Sequence, residues 1–168
     1  MKALAKTYIN TNLRRLDVLF KAAINPRDTL FLSKLAILEL CGWIEISMDA
    51  IVRRCAKKNL KLQASRQSAE AIIQRTYSFD YQQHFRKMLI QVIGLKSLEK
   101  IERRLNPVEF QKLTAALNAL KVNRDNEAHT YIKGVTAIID APSVTRGRFN
   151  DIYGGLQHFE STMKRLRF

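Results

Sequence analysis

The chain has few of the residues that interrupt or staple a fold. Its 168 residues hold three prolines and six glycines, and these never gather with serine into a linker. No internal repeat or low-complexity tract is visible, so a single domain over residues 1–168 is expected. Cysteine is almost absent: Cys41 and Cys55 form no CxxC pair, which leaves a zinc site or other bound metal without sequence support. If both lie on one helix, fourteen residues separate them by about 21 Å, beyond the roughly 7 Å that a disulfide spans. Reduced, buried thiols and a cytoplasmic setting are the expectation. No apolar run reaches about 18 residues, so no membrane-spanning helix is expected. The opening MKALAKTYINTNLRRL lacks the apolar stretch of a secretory signal. Alternating strand patterns are missing too; VTAII at 135–139 is the one candidate, and it is too short to build a sheet. Carboxylates are scarce: 15 Asp and Glu face 29 Lys and Arg, a formal net charge of +14.

That surplus speaks to partners and not to fold. Nucleic acid is the commonest polyanion such a surface meets. An anionic membrane surface or an acidic protein also fits the charge alone.

What is present in quantity is apolar side chain at helical spacing, 46% of the residues. Helix one is predicted over about Lys2–Ile24, with Leu4, Tyr8, Leu13, Leu16, Leu19 and Phe20 on its apolar face. A second and longest helix is predicted over Asp28–Asn59. It carries Phe31, Leu35, Leu38, Ile46 and Ile51, and LAILELCGWIEI is apolar almost all round. Such a helix is expected to be central and buried on several sides, with Trp43 in the core. Shorter helices follow over about Ala69–Tyr77, Tyr81–Ile93 and Ser97–Leu105. Asn106-Pro107-Val108-Glu109 reads as N-cap, first helical position and capping box for a helix to about Val122. Asn123–Ile132 is expected to be helical, after a kink. Gly134 and Pro142 bracket a loop, and a last helix is predicted over Ser143–Arg165. The fold class is therefore all-α, a compact helical bundle with a long central helix.

The segment NRDNEAHTYI, residues 123–132, carries a motif: Arg124, a polar Asp125, four residues between Arg and His, and a small Ala128 just before His129. With the long apolar second helix and the acidic residue of GWIEIS at its middle, the chain resembles the HEPN superfamily over roughly residues 25–165. The resemblance implies a metal-independent endoribonuclease with no cofactor, at work in a toxin–antitoxin pair or in antiviral defence. It implies that His129 moves a proton, that Arg124 holds the scissile phosphate and that Asp125 orients one of them. A homodimer with the site in its cleft, and an antitoxin protein as partner, are further implications. A non-catalytic module of the same type, binding nucleotide, RNA or protein, is the alternative. A purely structural adaptor whose basic face meets an acidic protein is a second.

Geometry bears on the motif. Five residues of ideal helix turn about 500°, so Arg124 and His129 point about 140° apart. A kink or a second copy across a two-fold axis would bring them to one phosphate. The plain readings stay open beside these. Arg124 could pair with Glu127 or Asp125 on the surface, His129 could rest on a backbone carbonyl, and Asp125 could answer the helix dipole. Asn126 could be polar surface or support the site. Glu45, between Ile44 and Ile46, needs a partner if buried, either Arg124 or another basic residue. Lys57, Lys58 and Lys61, in the basic stretch Arg53–Lys61, are either an RNA-binding path or a solvated helix end, as is Lys100–Arg104. His84 and His158 are expected to have ordinary roles.

Overall fold

The computed structural model describes residues 4–128 and 139–168, with side chains through Arg124 and again from Ile139. Among the described residues there are seven α-helices and no strand. In chain order they are α1 (Thr7–Ala22), α2 (Pro26–Asn59), α3 (Gln63–Gln74), α4 (Arg86–Ile93), α5 (Leu95–Glu102), α6 (Pro107–Ala128) and α7 (Pro142–Arg165). A π-helical turn, Tyr81–Phe85, leads into α4. The protein is an all-α bundle. Its centre is α2, which packs along its length against α1, α3, α4, α6 and α7. No described helix is long and apolar enough to cross a membrane.

The helix starts follow the punctuation. Asn25 caps α2 by accepting from Arg27 N at 2.9 Å, with Pro26 at the first helical position, so α2 begins two residues before Asp28. Asn106-Pro107 repeats the device on α6: Asn106 Oδ1 accepts from Val108 N and Glu109 N. The second half of the expected capping box is not made. Glu109 turns to Lys112 at 3.2 Å, and Asn106 N donates instead to His158 Nε2 of α7 at 2.9 Å. His158 thus caps a neighbouring helix, an arrangement that spacing within one helix cannot reveal. Pro142 opens α7 rather than closing a loop. α1 begins only at Thr7, and α3 starts six residues before the expected Ala69. α6 passes through Asn123 to Ala128 as one uninterrupted helix. The strand candidate at 135–139 lies outside the described residues save for Ile139.

Burial corrects the reading of α2. One face is sealed in the core, with Leu30, Ile37, Leu40, Ile44, Met48 and Ile51 each at most 9% exposed. Phe31, Leu35, Leu38 and Ile46 lie outside it, 50%, 45%, 38% and 69% exposed. At about 100° per residue the two sets point to opposite sides of the helix. A helix apolar all round does not declare which face its own domain covers. Tyr8 and Leu19 of α1 are likewise exposed, and Ile9 takes the buried place beside Leu13 and Leu16. Neither cysteine is in a disulfide; both are buried on α2, and burial pushes the Cys55 thiol up to about 11.

Aromatic side chains fill the middle. Phe79, Phe85, Phe149 and Phe159 have no exposed surface. Tyr81 meets Phe110 edge-on at 4.8 Å between ring centres, and Trp43 meets Phe149 at 5.1 Å. Trp43 is only half-buried, and its Nε1 donates to Ala5 O at 2.6 Å, fastening the segment before α1. Ion pairs lock α7 in place: Arg54 Nε to Glu160 at 2.7 Å from α2, and Arg146 to Asp17 at 4.0 Å from α1.

α6 and α7 lie so close that Gly155 has no room for a side chain; a Cβ there would stand 2.5 Å from Leu113 Cβ. In an open helix Gly→Ala stabilises by about 1 kcal/mol. Here Gly155→Ala is expected to lower the melting temperature, since overpacking costs about 1–3 kcal/mol. In a Leu113→Ala background the same change is expected to be neutral or stabilising. A double-mutant cycle on thermal melts reads the difference, and additive effects would contradict the contact.

Candidate functional site

The end of α6 meets the middle of α2 and the turn before α4. Arg124, near the C-terminal end of α6, places Nη2 3.9 Å from Glu45 Oε1 of α2. Its guanidinium carbon stands 5.9 Å from the ring centre of Phe79, which holds the apolar side of the fork. Glu45 is not the buried carboxylate its apolar neighbours suggested. Its side chain is 38% exposed and that of Arg124 31%, so the pair sits at the rim of the core and is open to water on one side.

The residue after Phe79 organises the rest. Asp80 caps the π-helical turn by accepting from Gln83 N at 2.6 Å, and its other oxygen lies 3.7 Å from Lys121 Nζ of α6. One turn of α6 thus directs Lys121 to Asp80 and Arg124 to Glu45, as i, i+3 neighbours should. Just before it, Asn123 Nδ2 donates to Asp140 at 2.6 Å, and Asp140 is held in turn by Arg148 of α7 at 2.6 Å. The motif helix is therefore fastened on two sides, to α2 and the turn on one and to α7 on the other.

His84, on the π-helical turn, belongs to this neighbourhood. Burial first, then the nearby Lys121 and Lys87, hold its imidazole below the ordinary value of 6.5, while Asp80 and Glu45 oppose them. Its Nδ1 is buried and has no partner among the described residues. The sequence reading passed over His84. The signals it did contain were an Asx cap at Asp80 and the polar run Tyr81-Gln82-Gln83-His84; π-helical turns are frequent at functional sites.

Of the other expected site residues, His129 lies outside the described residues, as do the side chains of Asp125 and Asn126, which stand at helical positions of α6. Lys57, Lys58 and Lys61 are exposed at and just beyond the end of α2. Lys57 lines a hollow of about 270 Å³ between α2 and α3 with Arg53, Arg66 and Glu70. Lys58 donates to Phe168 O at 3.2 Å, and Lys61 folds back on Lys58 O at 3.5 Å. The upstream part of that stretch is structural. Arg53 grips Glu70 with two nitrogens, at 2.9 Å each, and Arg54 is the half-buried partner of the buried Glu160. Among the described residues no three His, Cys, Asp or Glu side chains gather as metal ligands would.

No protein-family model, no curated protein and no solved structure matches the chain. What the site can do is argued from its own side chains.

The depressed His84 has a consequence for acid stability. The unfolded chain takes up the imidazole proton first, so this contribution to stability is complete above about pH 6.5 and falls as pH drops toward the lower folded value. NMR titration of the His84 ring is expected to give a midpoint below 6.5. His84→Gln is expected to flatten the loss of melting temperature on acidification. A His84 ring that titrates at or above the ordinary value would contradict the buried, cation-flanked setting.

Proposed function

We propose that the chain is a metal-independent endoribonuclease of HEPN type that cleaves RNA by transesterification, in a toxin–antitoxin or antiviral role. The supporting observation is Arg124. It is held half-exposed by Glu45 and the Phe79 ring, on a helix that continues unbroken to Ala128, the residue before His129. In the reaction the ribose 2′-oxygen attacks phosphorus and loses its proton to a base, while the bond to the 5′-oxygen breaks and that oxygen gains a proton. The products are a 2′,3′-cyclic phosphate and a 5′-hydroxyl. His129 serves one of the two proton transfers. Arg124 offers its planar fork to the phosphoryl oxygens as charge grows on them, and Asp125 and Asn126 stand one and two residues beyond it.

The 140° between positions 124 and 129 on a straight helix calls for a second copy, and α2 offers a surface for one. Phe31, Leu35, Leu38 and Ile46 form an exposed apolar stripe at helical spacing, continued through Gly42, where an added Cβ would meet open space. The stripe is self-complementary: if two α2 helices cross on a two-fold axis near Leu38, Leu35 of each lies opposite the Gly42 notch of the other. Glu45 and its Arg124 border the stripe, so such a dimer brings the two motif segments to one seam. Leu35→Glu with Leu38→Glu is expected to shift the mass by light scattering from about twice 19.4 kDa to that of the monomer. Helix content should be unchanged, because neither side chain is in the core. A wild type that is monomeric at micromolar concentration would remove the composite site.

One observation favours the non-catalytic alternative. Glu45 already offers Arg124 a carboxylate, so RNA or a partner protein could be held by the surrounding cations without reaction. Cleavage of RNA in EDTA separates the two. For the nuclease, His129→Ala is expected to cost about 10²–10⁴ in rate and Arg124→Ala a similar factor. Arg124→Lys should restore little, because an ammonium lacks the fork. Diverse RNAs left intact by a clean preparation, with or without divalent metal, would reject the nuclease.

A further inference from the structure

A second cation-rich feature lies on the other side of the π-helical turn. Between the end of α3 and α4 there is an open hollow of about 320 Å³, within the range of small-ligand sites, about 300–1,000 Å³. Arg75, Tyr77, Gln83, His84, Lys87 and Gln91 line it. It runs into a neighbouring hollow of about 490 Å³ that shares Arg75 and Gln91 and adds Ser68 and Ile72.

Its chemistry is one-sided. No carboxylate lines either hollow. Three other hollows each carry one: Glu70 between α2 and α3, Glu99 on α5, Glu160 between α2 and α7. In those places the surplus cations are at least partly answered from within. Here Lys87 is held only by the neutral Gln83 Oε1 at 2.7 Å, and Arg75 has no carboxylate among the described residues. Gln83 and Gln91 add neutral donors, and the buried, unpartnered Nδ1 of His84 is a polar group on the wall with nothing to bond.

The aromatic at the rim completes the pattern. Tyr77 is 77% exposed, which gains nothing for the core. It is presented by a strained link: Ser78, the next residue, adopts φ +99°, a region side-chain-bearing residues avoid, and Ser78 Oγ is itself buried without a partner. Backbone strain of this kind costs of order 1–3 kcal/mol and gathers at binding sites. An exposed ring beside two uncompensated cations is the arrangement by which proteins hold single-stranded nucleic acid, the base on the ring and the backbone on the charges.

We propose that the hollow between α3 and α4 is a subsite for one nucleotide of single-stranded RNA, its phosphate held by Arg75 and Lys87 and its base stacked on Tyr77. The proposal rests on the RNA-directed reading above and adds where the strand lies. It is independent of whether the strand is cut. His84 lines this hollow and also feels the charges of Glu45 and Lys121.

The test is fluorescence anisotropy of a short labelled single-stranded RNA, read against salt. Tyr77→Ala is expected to weaken binding about 5- to 150-fold, the range for loss of one stacked base, and to leave the salt slope alone. Tyr77→Phe should bind as the wild type does. Arg75→Ala with Lys87→Ala should weaken binding and reduce the log–log salt slope by about 1.4, two contacts at about 0.7 each. Arg14→Ala with Arg15→Ala removes the same charge from exposed positions on α1 and should do much less. The substitutions at these three hollow residues leave the core untouched, which circular dichroism checks. If the wild type binds with a steep salt slope and the hollow variants match the α1 control, the subsite is wrong and the RNA reading stands. If the wild type binds no RNA at low salt, both fall. If hollow variants lose binding while RNA is never cut, the subsite stands and the nuclease falls.

Discussion

Leu113 and Gly155 set the distance between α6 and α7, and the Arg124 end of the molecule depends on that distance. With no Cβ at 155, the α6 backbone can settle where any other residue on α7 would push it off. From Leu113 to Arg124 is eleven residues, about 16 Å along the helix. A tilt at the first is amplified at the second, so a contact far from the motif governs whether Arg124 reaches Glu45 and Phe79 or swings clear of them. His158 capping Asn106 at the start of α6 and Asp140 holding Asn123 near its end fix the same helix at both ends of the contact. Three interactions with α7 or its approach therefore aim one helix.

The scarcity of carboxylates shapes the surface more than the number of cations does. Several of the acids are spent on structure: Asp17 between Lys21 and Arg146, Glu102 between Tyr81 and Arg86, Glu160 between Arg54 and Lys164, Asp140 between Asn123 and Arg148. Asp17 and Glu160 are themselves buried, and their cations offset the cost of that burial. Glu102 also shows how tightly these sites are closed: together with burial it pushes the Tyr81 phenol well above its ordinary value. With the acids committed to the interior, what is left uncompensated is the outer cations. They are not spread evenly, because Glu70 and Glu99 still neutralise parts of α3 and α5. The α3–α4 hollow is where the compensation stops.

Much of the fold was legible in the sequence, and where it was not the reasons are specific. Asn106-Pro107 announced its helix because capping is a local act between residues two or three apart. The same dipeptide logic at Asn25-Pro26 would have placed the start of α2 two residues earlier. The long central helix was visible from its apolar content, but its orientation was not. When Phe31, Leu35 and Leu38 are as apolar as Leu30, Ile37 and Leu40, periodicity has no contrast to work on, and only packing decides which set is covered. Of the site, the proximity of Glu45 to Arg124 was anticipated as one of two options, yet its exposure was not, since flanking isoleucines say nothing about a side chain that points 100° away from each of them. His84 and His158 were passed over because the setting of the first is made by burial and the nearby charges of Asp80 and Lys121, and the partner of the second is a backbone N–H of another helix. Neither relation has a signature in spacing.

The Glu45–Arg124 pair is half-open to water, and that position bears on the proposed function. An ion pair exposed on one side is worth only about 0–1 kcal/mol, because water already screens it. On the proposed function, a phosphodiester approaching from the open side would meet a guanidinium whose pairing with Glu45 is partly screened by water and whose apolar face stands 5.9 Å from the Phe79 ring centre. Replacing Glu45 by glutamine would remove the competing charge while keeping the shape. On this geometry that change should tighten RNA binding if Glu45 only occupies Arg124, and weaken cleavage without weakening binding if Glu45 fixes the angle at which the fork meets phosphorus.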